Sequence, residues 1–233
     1  MKKNGLLLLL VFALFSCSSG TDTLKIATAA NMQFAMEELI DVFEEESAVK
    51  AAMILSSSGK LTAQIEAGAP FDLFFSADTK YPERLASRQL SNEPTVYAYG
   101  QLVEWQKANS KKQLFAMANP KTAPYGKATA AYLAKQGIKL PDVVYGESIS
   151  QVNQFLLSGT VDAGFTSYSS VRSEKFKTAG EWTLIPDSLH SPIAQAYVLI
   201  NRSKKKEAAT AFMEFLTTAR AKEILVAYGY RVN

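Results

Sequence analysis

The run Ser56-Ser57-Ser58-Gly59-Lys60 sets three hydroxyls beside a glycine, and hydroxyls together with backbone N–H groups are a means of receiving an anion. Met53, Ile54 and Leu55 precede the serines, and Leu61, Ile65 and Ala69 follow at the spacing of one helical face. A strand, a Ser-Gly turn and a helix start are therefore predicted in that order. The start of a helix leaves about four N–H groups without intrahelical partners, and its dipole favours negative charge. On this reading Ser57, Ser58 and Gly59 form an oxyanion site. The alternative is a capped helix with solvated serines.

Three further turns have the same layout. The strand candidate Leu24 to Ala27 leads to Asn31, at the N-cap of a helix whose apolar side is Met32, Met36, Leu39, Ile40 and Phe43. The loop from Asn119 to Gly126 delivers Tyr125 to a helix from about Lys127 to Lys135. Gly146-Glu147-Ser148-Ile149-Ser150 opens a helix with Val152, Phe155 and Leu156 on one face, closed by Ser158-Gly159. Strands are also predicted at Phe71 to Phe75, Val161 to Ser167 and Ile193 to Ile200; Thr95 to Val103 and Gln113 to Ala118 are further apolar segments, and Asp78 caps a short helix holding Tyr81 and Leu85. Alternating strands and helices predict an α/β protein with mostly parallel sheets. Crossings near Tyr99 and Ser191 predict two lobes, 24–98 with 192–233 and 99–191, and a cleft between lobes suits a small ligand. Asn31 and Ser58 then face Tyr125 and Ile149 across that cleft, with no cation required.

Other chemistries fare worse. Ser57 and Lys60 fit the S-x-x-K pattern of penicillin-recognising serine enzymes, but the accompanying S-D-N and K-T-G elements are absent. Gly59-Lys60 and Gly126-Lys127 lack the remainder of a phosphate loop. Asp72 and Asp78 flank a strand with no second chemical signal beside them. One histidine, His190, and one cysteine, Cys17, do not make a zinc site, and His190 is expected at the surface or in a hinge. The chain is therefore not read as an enzyme, and no cofactor is expected. Lys111-Lys112 and Lys204 to Lys206 are read as solvated faces, with no nucleic-acid partner.

At the start, Lys2 and Lys3 precede an apolar run from Leu6 to Phe15, the layout of an export signal and too short for a mature membrane span. Leu14-Phe15-Ser16-Cys17 resembles the lipobox of bacterial lipoproteins, which makes 1–16 a signal peptide, Cys17 the lipidated first residue and 17–23 a tether. Loss of the signal lowers the formal charge from +3 to +1.

SSSGKLTAQIEAGAPFDLFFSAD, with ATAANM, NPKTAPYGKA and GESISQVNQFLLSGTVDAGFTSYS, resembles the molybdate-binding proteins of bacterial ABC importers. The resemblance runs from Leu24 to the C-terminal AYGYRV. It implies a two-lobed periplasmic-binding-protein fold of type II that closes on a tetrahedral oxyanion and passes it to a membrane permease. It further implies oxyanion donors at Asn31, Ser58, Tyr125 and Ile149, the last two through backbone N–H groups. Where some members add a tyrosine hydroxyl, the matching position is Ser167, followed by Tyr168. The only metal expected is the one inside molybdate or tungstate, and a monomer is expected outside the cytoplasm. A receptor for another oxyanion such as sulfate, or an envelope lipoprotein with a scaffolding role, is the alternative.

Overall fold

A computed structural model describes residues 23–232. The expected signal peptide, Cys17 and all of the tether but Thr23 lie outside the described residues. The chain runs through β1 (Leu24–Ala29), a 3-10 turn (Ala30–Met32), α1 (Gln33–Ser47), β2 (Ala51–Ser56), α2 (Ser58–Glu66), β3 (Leu73–Ser76), α3 (Lys80–Ser87) and β4 (Thr95–Gly100). It continues through β5 (Leu102–Gln106), β6 (Leu114–Ala118), α4 (Pro124–Gln136), β7 (Asp142–Gly146), α5 (Ile149–Ser158), β8 (Ala163–Ser167), α6 (Tyr168–Val171) and β9 (Glu181–Leu184). It ends with β10 (Ile193–Leu199), α7 (Lys206–Phe215) and α8 (Ala219–Ala227).

The strands form two five-stranded sheets, ordered β2-β1-β3-β10-β4 and β7-β6-β8-β5-β9. This is the two-lobed architecture expected. The sheets are mixed, however, with half of the strand pairings parallel. The antiparallel pairings all involve β10 or β5, the strands that follow the two crossings of the chain between sheets. The apolar segment 95–103 is divided at Gln101 between β4 in one sheet and β5 in the other, within the stretch where a crossing was expected.

Strand alternation builds the first lobe's two core faces. Leu24, Ile26, Leu73 and Phe75 pack against α1, α7 and α8, where Phe43 meets Phe212 edge-on at 4.9 Å. Ala27 and Phe74 point the other way, onto Leu61 and Ile65 of α2 and Leu85 of α3. Burial of each such large side chain contributes about 1.5–3 kcal/mol, which fixes the strand ends from which α1 and α2 start. In the second lobe Phe115 stacks on Phe165, and the same core takes in Ala29, Ala30 and Ala77 from the first. The lobes are thus closed on each other. Gly59 donates its N–H to Thr122 O at 2.9 Å, Tyr81 Oη to Lys121 O at 3.3 Å, Ser150 Oγ to Gln33 Oε1 at 3.1 Å and Gln101 Nε2 to Gly229 O at 2.8 Å.

Candidate functional site

A small cavity lies between the lobes, lined by Ala29, Ala30, Asn31, Ser57, Ser58, Ala77, Ala123, Pro124, Tyr125 and Ile149. Asn31, Ser58, Tyr125 and Ile149 come together there from four separate helix starts. None of the lining residues carries a charge.

Each element presents its donor for a local reason. On the first lobe, β1 passes into a 3-10 turn continuous with α1, so the N–H groups of Ala30 and Asn31 fall where a helix leaves donors unused. The Asn31 side-chain amide is engaged by the protein itself. Its Nδ2 donates to Gln195 Oε1 at 3.0 Å and to Tyr230 Oη at 2.9 Å, which spends both amide hydrogens. Its carbonyl receives Ser169 Oγ at 2.6 Å from the second lobe. What Asn31 can offer an anion is therefore its backbone N–H. Ser58 is fully buried and its Oγ accepts the Ala77 N–H at 3.0 Å, which orients the hydroxyl and leaves its proton free to donate. The Gly59 N–H, by contrast, is spent on Thr122.

The second lobe offers main chain only. Pro124 takes the first position of α4, where its missing N–H costs nothing, and Tyr125 follows. Ile149 is the first residue of α5, whose N-cap Ser148 accepts the Gln151 N–H at 3.4 Å. The Tyr125 phenol reaches across the cleft to the end of β4. A Cβ at Gly100 would lie 2.1 Å from Tyr125 Oη and 2.8 Å from Gln195 Nε2, so the absent side chain at Gly100 is the phenol's seat. Burial holds the Tyr125 and Tyr230 hydroxyls protonated far above the ordinary tyrosine range.

Ser167 and Tyr168 do not line the cavity. Strand β8 ends at Ser167, whose Oγ caps α6 by accepting the Ser170 N–H at 3.2 Å, and Tyr168 packs its ring on Trp182. Ser167 touches the site's framework only through Ser169. Lys60, the base that an acyl-enzyme would need near Ser57, is half exposed and paired with Glu147 across the cleft at 2.9 Å. Asp72 is structural, accepting the Lys25 N–H at 2.8 Å and Ser203 Oγ at 2.7 Å. Burial raises Asp78 above the usual carboxylate range, against the pull of its bonds to Tyr81 and Ser76, and it accepts the Tyr81 N–H at the start of α3 as expected. His190 stands at the crossing before β10, but its ring is buried, with Nδ1 2.8 Å from Ser191 O. No cluster of metal-ligating side chains occurs among the described residues.

Gln195, Tyr230, Ser169 and Gly100 hold the floor of this site and were not legible as site residues. Gln195 and Tyr230 lie 164 and 199 positions from Asn31, and no local pattern marks such contacts.

Residues 24–231 match the family of bacterial extracellular solute-binding proteins. The molybdate-binding protein ModA of Azotobacter vinelandii is 34% identical over 93% of each chain. That of Rhodobacter capsulatus is 33% identical over 88% of this chain and 86% of its own. The solved structure of the Azotobacter vinelandii periplasmic molybdate-binding protein superposes with a TM-score of 0.85, covering 90% of this chain and 99% of that one. By fold, by matched length and by identity, the chain belongs to the bacterial extracellular solute-binding protein family and is a relative of its molybdate-binding members.

Proposed function

We propose that this protein captures molybdate, and tungstate with it, between its lobes and delivers the anion to the membrane permease of an ABC importer. The observation that carries the reading is the uncharged cavity on which four helix starts converge from both lobes. The donors are the backbone N–H groups of Asn31, Tyr125 and Ile149 and the hydroxyl and N–H of Ser58. Relatives at about one-third identity that are named molybdate-binding proteins support the same ligand. Lobes of 24–98 with 192–233 and 99–191 close on the anion. A lipid on Cys17 and the 17–23 tether hold the exported monomer at a membrane surface.

Selectivity follows from the donors. Molybdate and tungstate share charge and size and exceed sulfate in size, so a closed ring of fixed donors separates them from sulfate by fit. Phosphate carries a proton near neutral pH that needs an acceptor. A ring of donors leaves that proton unpaired, at a cost of about 1–3 kcal/mol.

The test is a thermal-shift series on the domain from Ser18 with molybdate, tungstate, sulfate and phosphate. A ligand at 100 times its Kd adds about 2.7 kcal/mol, which raises Tm by about 5–11 °C for a chain of this size. Shifts with molybdate and tungstate alone are expected. Equal shifts with sulfate would favour a general oxyanion receptor, and no shift with any of the four would remove the ligand assignment.

A further inference from the structure

Ser57 stands at the N-cap of α2 with extended backbone angles (φ −72°, ψ 150°), where a serine ordinarily accepts an N–H from the first turn of its helix. Here it makes no such bond. The residue is 3% exposed, its Oγ has no hydrogen-bond partner among the described residues, and it lines the cavity between the lobes beside Ser58. Buried hydroxyls without partners are uncommon because each forfeits its bonds to water. A hydroxyl that neither caps its helix nor bonds a neighbour, yet sits in the wall of a ligand cavity, has its partner in the ligand.

Taking the oxyanion reading above as its basis, we infer that Ser57 Oγ is a further donor to the bound anion, distinct from Ser58. The two serines differ in how they are held. Ser58 Oγ is fixed by the Ala77 N–H, whereas Ser57 Oγ is free to rotate its proton toward an oxygen of the ligand. The pair gives the first lobe two side-chain donors on consecutive residues, one preset and one adjustable. Because the Ser57 hydroxyl bonds no other group among the described residues, and only its carbonyl is used, by the Leu61 N–H, loss of the hydroxyl is felt in the complex.

The test is calorimetric titration of molybdate into the wild type, Ser57→Ala and Ser58→Ala, with thermal melts of each protein without ligand. Ser57→Ala is expected to weaken molybdate binding by about 10- to 100-fold, the effect of a lost bond to a charged group. Its melting temperature without ligand is expected to stay level or rise, since the substitution removes an unpaired buried hydroxyl. Wild-type affinity in Ser57→Ala, with affinity lost in Ser58→Ala, overturns the assignment while leaving the oxyanion reading intact. A fall in the ligand-free melting temperature matching the loss of affinity also overturns it, by making Ser57 a structural cap. A wild type that binds none of the four anions removes the oxyanion reading itself, and Ser57's role with it. Should the alanine variant fail to fold, Ser57→Gly, which an N-cap tolerates, carries the same test.

Discussion

The two walls of the cavity are built differently. The first lobe brings side-chain hydroxyls, Ser57 and Ser58, to the start of α2, and adds main-chain N–H groups at the 3-10 turn after β1. The second brings main chain alone, at Tyr125 and Ile149. A hydroxyl is removed by one substitution at its own position, whereas a backbone N–H survives every substitution except proline. Side-chain identity therefore tunes the first wall, and the second is tuned by whatever positions its helix ends. Tyr125 connects the two, since it lines the cavity while its phenol is seated at Gly100, at the end of β4 in the first sheet.

The largest effect is expected from attacking that seat. Gly100→Ala puts a methyl group 2.1 Å from Tyr125 Oη, and displacing the phenol carries the second wall away from the first. Overpacking of this kind costs about 3 kcal/mol, which should appear as a loss of molybdate affinity of about 100-fold and as a more open particle in small-angle scattering with ligand. An unchanged affinity would mean that the phenol does not hold the walls together.

Ile149→Pro comes next. Proline is tolerated at the first position of a helix, and Ser148 already has the extended backbone that a residue before proline requires. The substitution removes the N–H and leaves α5 in place, so about 1.5–3 kcal/mol of binding should disappear, while Ile149→Val binds as wild type. Equal titration curves for the two variants would remove the Ile149 N–H from the site. On the other wall, Ser58→Ala should cost about 1–3 kcal/mol in the same titration. The smallest effect belongs to the Lys60–Glu147 pair, which spans the cleft but is half exposed. Lys60→Ala should change affinity by about 1 kcal/mol or less, and the difference should shrink in high salt. Loss of all binding in this variant would give Lys60 a direct role that its ion pair does not suggest.

The strand-to-helix turns were legible because each is written in a few neighbouring residues, an apolar run followed by small or polar groups and then a helical stripe. The same locality explains what was not. Strand β9 was missed because all of its residues are exposed and its apolar residues form no continuous run. Strand β7 likewise carries a single fully buried residue, Gly146. Asn31 was read as a capping side chain, but its amide is claimed by Gln195 and Tyr230 from the far end of the chain. Gly59 was read with the serines as part of the oxyanion site, and closure of the lobes gives its N–H to Thr122 instead. Ser167 lies at the end of a buried strand as expected, yet it caps the next helix and does not line the cavity. In each case a partner brought by the fold, invisible to local spacing, decided where the polar group went.

The central claim is that uncharged donors from both lobes hold a large tetrahedral dianion, and the most direct test is calorimetric titration of the wild type with molybdate and with sulfate. The account predicts one saturable site for molybdate and, under the same conditions, at least 100-fold weaker binding of sulfate, a difference of about 2.7 kcal/mol. Equal affinity for the two anions, or no heat from molybdate at concentrations that saturate a specific site, would contradict it.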